Sequence, residues 1–421
     1  MVRHAISRIR SLSAAGPLRA SLQACTAEGI VAEIVGACFG NAVLTAWAVE
    51  LGASPLLLGV LWGLPYFGQV LQVPALWLTS HLGRKRAAVL THALGRQVTL
   101  PIAALPFVDI SIDAKRAIVV GLFALSSLLS VLGHNAWLAW MGELVPARIR
   151  GAYFGRRTAL CTIVATLVSL LVAFALDTGR HHERLGLVLA AIVVVRSLAG
   201  AITTVLMTKQ HDPETPTVAP CVRDFARPIA DRAFRTLLGY RAAWGIATGI
   251  AASLSAIYML RALGLGFVGV ALYSAGIAAL RVVTTPLWGR TLDRAGGRHV
   301  LVACSFGAAL SSLAWVFATQ GSAWLIGLDA LVSGLLLGGQ ELAVFTLPLA
   351  AAPSARRPLY AATSVMVGGV AYGGASVAAG ALADSVPLRA ILIAAAVWRL
   401  LAAVVAMGVD DGSTPDTANA R

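Results

Sequence analysis

The sequence predicts an all-α membrane protein in which twelve transmembrane helices fold as two pseudo-symmetric six-helix bundles. Three observations lead there. Hydrophobic residues make up 58% of the 421-residue chain and charged residues only 12%, whereas soluble domains run at roughly 45–50% apolar. The apolar residues fall into runs of about 20, each able to cross a hydrocarbon core about 30 Å thick at about 1.5 Å of rise per residue. Residue matches in the second half repeat those of the first in the same order. Inside lipid every backbone polar group must find its partner within the chain, so each run is a helix.

Residues 1–26 carry Arg3, Arg8, Arg10 and Arg19 with no continuous apolar stretch, which reads as a basic cytoplasmic tail and not as a cleaved signal peptide. Span 1 covers 27–50. Its Glu28 stands near enough to the start to reach water. Glu33 and Asn41 lie deeper, about 80° apart around a continuous helix, and would share one polar face. An ionisable group at membrane depth is costly, so Glu33 either lines a cavity or pairs with an arginine. Spans 2 (55–80) and 3 (87–108) are joined by "SHLGRKR", where Gly83, Arg84, Lys85 and Arg86 form a short basic turn. Arg96 lies in span 3 and reads as structural.

Span 4 (116–141) carries His134, Asn135, Trp137 and Trp140. The loop "VPARIRGAY", with Arg150, leads into span 5 (151–176), and span 6 (185–207) contains Arg196. Residues 208–236 form the longest polar stretch. Pro213, Pro216 and Pro220 mark its first part as linker. Phe225, Ile229 and Phe234, set among arginines, suggest a short amphipathic helix on the membrane surface.

Spans 7 (237–260), 8 (265–289), 9 (299–319), 10 (323–348), 11 (358–383) and 12 (387–408) follow, with a tail over 410–421. The two bundles are therefore 27–207 and 237–409. Between spans 8 and 9, "LWGRTLDRAGGR" crowds Arg290, Asp293, Arg294 and Arg298 into one turn. Gly289, Gly296 and Gly297 would let that turn close. Span 8 holds Arg281; span 10 holds Asp329, Gln340 and Glu341. In span 11, Gly368, Gly369 and "AYGGASVAAG" permit close approach of helix backbones.

Orientation follows from the basic residues, because short cytoplasmic loops retain Lys and Arg. An even number of spans puts both tails on one side. With the N-terminus inside, 22 of the 33 Lys and Arg are cytoplasmic, 6 are outside and 5 lie within spans. The net charge of +14 is thus spread loop by loop along one membrane face, where anionic lipid is the counter-charge. That distribution argues against nucleic acid as a partner. The five cysteines show no metal or redox spacing, "RHHER" at 180–184 reads as a solvated loop, and "GLGFVG" at 264–269 opens a span with no strand before it, so no dinucleotide site is expected. Neither a cofactor nor a metal is expected.

The halves are related in detail. "VPARIRGAY" matches "APSARRPLY", pairing Pro146 with Pro353, Arg150 with Arg357 and Tyr153 with Tyr360, each 207 apart. Arg196 in span 6 pairs with Arg399 in span 12. His134 and Glu341 each stand twelve residues before their matched proline, which puts them at equivalent depths in spans 4 and 10. A parallel six-plus-six repeat is the plan of many secondary transporters.

The stretch "GRTLDRAGGR", with Gly289, Asp293, Arg294, Gly296 and Arg298, resembles the G-x-x-x-D-R-x-G-x-R loop signature of the major facilitator superfamily. The earlier turn keeps Gly83, Arg84, Lys85 and Arg86 but has Ser80 in place of the usual Asp. "WMGELVPARIRGAYFGRR" also resembles the fourth-to-fifth loop of many bacterial members, and the resemblance runs across all twelve spans. It implies that Asp293 faces the N-terminal end of span 5 as a cytoplasmic latch. The alternative is that these charges only keep the loop in water. It further implies that spans 4, 8 and 10 line the central cavity and that spans 6 and 12, with Arg196 and Arg399, are peripheral. Span 5 lacks the glycine–proline signature of many antiporters of that family.

The expected function is secondary active transport of a small-molecule substrate across the bacterial inner membrane by alternating access, with protons as the coupling ion and a monomeric protein. His134 and Glu341 would carry the proton, unless His134 serves packing alone. Asn135, Trp137, Trp140 and Gln340 would contact substrate, and Arg281 would bind an anionic group or pair with Glu341 or Asp329. The alternative is a membrane-embedded enzyme or signalling subunit. An enzyme needs a localised catalytic cluster, whereas the polar groups here are spread over both repeats.

Overall fold

The computed structural model describes residues 16–52, 54–212, 227–352 and 356–410. Among them the secondary structure is helical, with no strand. Ten helical stretches among the described residues are long and apolar enough to cross a membrane. Spans 2 and 3 supply the other crossings in broken form, and both breaks have proline causes. Span 2 runs as Pro55–Phe67, a 3₁₀ turn Gly68–Leu71 and Gln72–Leu82. Pro74 has no N–H to give the carbonyl four residues back, so the chain tightens there instead. Span 3 is Arg84–Gln97 followed by a 3₁₀ segment Leu100–Phe107 that contains Pro101 and Pro106.

Spans 4, 5 and 6 are Ile112–Leu144, Ala147–His181 and Leu185–Thr208. Span 7 is Arg232–Ile257 extended by a π turn Tyr258–Ala262, span 8 is Gly266–Ala295, and span 9 is Gly297–Ser311 with a short continuation Ala314–Phe317. Spans 10, 11 and 12 are Trp324–Ala351, Arg357–Leu382 and Leu388–Ala406. Along span 5 the side chains of Ile163, Leu167, Leu171 and Phe174 are 57–67% exposed. An apolar stripe left open at helical spacing is the mark of a lipid-facing surface, and the chain is a multi-pass membrane protein.

Span 1 departs most from expectation. It starts at Gly16, eleven residues before the expected Ala27, and it breaks between Gly16–Ala37 and Asn41–Glu50. The early start is held by packing: Ser21 is buried and accepts a hydrogen bond from the backbone N–H of His211 (3.0 Å), and the Leu22 carbonyl accepts from Tyr153 Oη (3.0 Å). The break comes at Gly40, whose extended backbone caps the second helix. The last part of the expected linker is also corrected. Phe225 lies outside the described residues, Ile229 is exposed on a short turn Arg227–Ala230, and Phe234 is fully buried in the first turns of span 7. Phe234 is core and not a membrane-surface anchor.

The chain divides into two compact units, 1–51 with 71–220, and 52–70 with 221–421. The core of the first is built from small and polarisable side chains, Cys25, Ala87, Ala88, Ala136, Met141 and Met207, around Trp140. The second packs Phe234, Tyr240, Leu301, Cys304, Ala308, Ala343 and Tyr360. In that unit the first half of span 2 lies on span 11 with glycine at the crossings: a Cβ on Gly63 would stand 3.1 Å from the Gly373 carbonyl oxygen, and one on Gly380 would stand 2.5 Å from that of Pro55. The small residues expected to let span 11 pack closely do so.

Candidate substrate pathway

The first unit carries an ionic centre on Glu28. Its carboxylate accepts from Arg157 Nη2 at 3.3 Å and pairs with Arg96 Nη2 at 3.5 Å, with side-chain exposures of 4%, 14% and 8% for Glu28, Arg157 and Arg96. Because span 1 starts at Gly16, Glu28 lies about 18 Å along the helix at about 1.5 Å per residue, and it is buried, not open to water. The Arg157 guanidinium also donates Nε to the Cys25 carbonyl (3.2 Å), lies 4.8 Å over the Trp137 ring and rests flat on Gly29, where any Cβ would collide with it. Arg96 donates to Thr203. Glu33 is half-buried beside Cys161 and Arg157. Asn41 is exposed and opens the second helix of span 1, so the shared face expected for Glu33 and Asn41 is interrupted by the break at Gly40.

Of the span 4 residues, His134 is exposed and its ring stacks near Trp137, 6.0 Å between centroids. Asn135 donates to the Val131 carbonyl of its own helix at 2.8 Å. Trp140, expected at the pathway, is fully buried and donates to the His211 carbonyl, which makes it a packing residue.

In the second unit, Arg281 Nη1 donates to Glu341 Oε1 at 2.7 Å, and these side chains remain 41% and 56% exposed. Pairing with Glu341, one of the options open in the sequence, is the observed arrangement. Gln340 points elsewhere: it is buried and donates to Tyr240 Oη (2.9 Å), which itself shares a proton with Ser305 Oγ (2.8 Å). Gln340, expected at the pathway, is thus found buried in the core of its unit. Asp329 is fully buried and accepts from Tyr273 (2.7 Å), Trp315 (2.9 Å) and Ser333 (3.2 Å).

The two charged turns have one geometry. Gly83 and Gly296 both take left-handed φ, 81° and 87°, with ψ of 152° and 157°, a conformation that favours glycine. Gly289 is inside the span 8 helix and Gly297 opens the next, so the turn uses Gly296 alone. Two residues beyond the left-handed glycine, the basic side chain caps the last helix of its own unit. Lys85 donates to the carbonyls of Thr208 (2.9 Å) and Gln210 (2.5 Å), at the end of span 6. Arg298 donates to the Met407 carbonyl, at the end of span 12. Helix C-termini present unpaired carbonyls and partial negative charge, which these cations meet. Arg84 pairs with Glu143 at 3.8 Å. Arg86, Asp293 and Arg294 are exposed. The Arg150 side chain lies outside the described residues.

Other pairs match in the same way. Tyr153 Oη reaches the Leu22 carbonyl at the start of span 1, and Tyr360 Oη reaches Asp231 Oδ2 just before span 7 (2.9 Å). Arg196 donates to the Arg96 carbonyl (2.8 Å) in span 3, and Arg399 to the Ala308 carbonyl (3.5 Å) in span 9. Both serve as struts from the last helix of a unit to its third.

No family model matches the sequence, and no curated protein does. Solved structures match the backbone. The chain is similar to the nucleoside transporter NupG (TM-score 0.72, 11% identity, covering 92% of this chain and 98% of that one). It is similar to a D-xylose-proton symporter (TM-score 0.70, 15% identity, 94% and 99%) and to a bacterial homologue of the human lysosomal transporter Spinster (TM-score 0.68, 16% identity, 93% and 97%). The chain has the major facilitator fold.

Several polar residues that the major facilitator fold brings together were not singled out in the sequence. By hydropathy Arg157 belongs to the cytoplasmic loop and Glu28 to the interface, because the helices of spans 1 and 5 start earlier than the apolar runs do. Arg241 lies in span 7, and its signal was available: it is one of the five Lys and Arg inside spans. Tyr66 and Tyr372 stack with ring centroids 3.5 Å apart, at the crossing of spans 2 and 11. Their separation of about three hundred residues left nothing for sequence spacing to report.

Proposed function

We propose that this protein is a secondary active transporter of the major facilitator superfamily that moves a small solute by alternating access, with protons as the coupling ion. The Arg281–Glu341 pair carries the reading. Both groups sit well inside their helices, and neither is covered by its own unit. Charged groups facing lipid are expensive, and those that persist at membrane depth face water-filled paths or each other. His134, exposed at the matched depth of span 4, supports the same reading. Glu28 is a second carboxylate for the proton: protonation would remove the charge that holds Arg96 and Arg157, and the guanidinium groups would be free to rearrange. Binding and release of a proton could thus bias a two-state equilibrium, as any ligand does that prefers one state.

The asymmetry of Lys and Arg supports a bacterial inner membrane location with both termini cytoplasmic. The distribution of polar groups over both repeats favours a non-enzymatic role, and a monomer suffices for it. The test is uptake into proteoliposomes with an imposed proton gradient, screening solutes that include a pentose and a nucleoside, the cargo classes of the structural neighbours. Gradient-driven accumulation that is lost in both Glu341→Gln and Glu28→Gln is the expected result. Accumulation that ignores the gradient overturns proton coupling.

A further inference from the structure

The two units each contain an arginine lying flat on a glycine of a crossing helix, but among the described residues only one has a counter-ion. In the first unit Arg157 of span 5 rests on Gly29 of span 1, donates Nε to the Cys25 carbonyl and meets Glu28. In the second, Arg241 of span 7 rests on Gly368 of span 11, where a Cβ would stand 2.7 Å from Nη2, and donates Nε to the Ser364 carbonyl at 3.2 Å. Ser364 stands 207 residues beyond Arg157, the same offset as the tyrosine pair, so the arginine has changed helices while the crossing is kept. Among the described residues Arg241 forms no ion pair with a carboxylate.

A guanidinium has five N–H donors and cannot shed its proton, so a membrane-embedded one needs an acceptor. A second donor stands unmet at the same place: the Ser364 hydroxyl is buried and has no hydrogen-bond partner in the structure. Beside it, Gln69 packs on Gly369, and the stacked Tyr66 and Tyr372 lie one turn further along span 11. Arg241 is partly exposed while Ser364 is buried, so an incoming group would meet the guanidinium first.

We propose that Arg241 and Ser364 bind the carboxylate or phosphate of the transported solute, so that the cargo is an organic or inorganic anion. The ligand supplies in the second unit the negative charge that Glu28 supplies in the first. This rests on the transport reading above, and the experiment separates the two.

The purified full chain is melted in neutral maltoside detergent with acetate, succinate, benzoate, inorganic phosphate or glycerol 3-phosphate, each organic anion beside its neutral amide or alcohol. At least one anion raises the melting temperature of the wild type with saturation, and its neutral counterpart does not. Arg241→Gln weakens that anion by roughly tenfold or more, the scale of a lost charge-assisted hydrogen-bond pair, and Ser364→Ala weakens it less. If Arg241→Gln fails to fold, Arg241→Lys keeps the charge but not the fork and still lowers affinity. The proposal is overturned if no anion acts, if the neutral counterparts act equally, or if the arginine variants bind as the wild type does. It is also overturned if only phosphatidylglycerol, replacing phosphatidylcholine in nanodiscs, stabilises the protein through Arg241, which would make the ligand a lipid. Uptake in proteoliposomes separates the readings: an anion bound through Arg241 but never moved overturns transport and leaves the site, while a neutral solute carried normally by Arg241→Gln overturns the site and leaves transport.

Discussion

Replacing Glu28 by Gln keeps the shape of the side chain and removes the charge between two buried arginines. At an effective dielectric of about 20, unit charges at the observed 3.3 and 3.5 Å attract by roughly 5 kcal/mol each. Desolvation opposes this at several kcal/mol for each of the three ions, so the assembled triad is near balance. Its disruption is not. Arg96 and Arg157 stay buried, with Thr203 and the Cys25 carbonyl as their remaining partners, and losing one partner of a buried pair costs about 3–5 kcal/mol. Equilibrium unfolding of the purified protein in mixed micelles, followed by tryptophan fluorescence, should show a loss in that range. Adding Arg96→Gln removes one orphaned cation, and the double variant should recover part of the loss, with a coupling of about 0.5–3 kcal/mol. A loss below about 1 kcal/mol for Glu28→Gln, on the scale of an exposed pair, would refute the reasoning.

The contrast with the other ion pair is itself a prediction: Arg281 and Glu341 are 41% and 56% exposed, so Glu341→Gln should change stability by no more than about 1 kcal/mol while abolishing gradient-driven uptake, and the charge-swapped double variant should restore stability. Lys85→Met and Arg298→Met each uncap the last helix of a unit and should each destabilise by about 1–2 kcal/mol, measurable as similar drops in thermal stability; a null effect in both would reduce the turns to orientation signals. Gly59→Ala drives a Cβ into the Ser376 carbonyl and should cost about 1–3 kcal/mol by overpacking, whereas Gly121→Ala, with open space around it, should gain about 0.5–1 kcal/mol in the same melt.

The sequence was most informative where physics acts along the chain. Apolar run length placed the helices, and the repeated motifs anticipated Tyr153 with Tyr360, 207 apart, and Arg196 with Arg399, 203 apart, as matched pairs. It was least informative where contacts cross helices. Glu28 looked interfacial because hydropathy begins at Ala27, yet the helix begins at Gly16, held by hydrogen bonds to Tyr153 and His211 that no window of sequence contains. Helical periodicity puts Asn41 and Glu33 on one face only if the helix runs on across Gly40, and it breaks there. Gln340 and Trp140 are expected at the cavity from their places in spans 10 and 4, yet both turn into the core. Their partners, Tyr240 in span 7 and the His211 carbonyl just beyond span 6, are distant in sequence. The role of Lys85 was hidden for the same reason: a charge in a loop looks solvated until the helix end it caps is beside it.

The central claim is that His134 and Glu341 face water in turn from the two sides of the membrane. Single cysteines at these positions, in a background without the native cysteines, can be challenged with a membrane-impermeant maleimide in right-side-out and inside-out vesicles, with Leu171→Cys on the lipid-facing stripe as the reference. The account predicts that both positions are modified from either side and that a transported solute slows the reaction, while the Leu171 site stays unmodified. Protection of both positions from both sides, equal to that of Leu171, would place them in lipid and contradict the account.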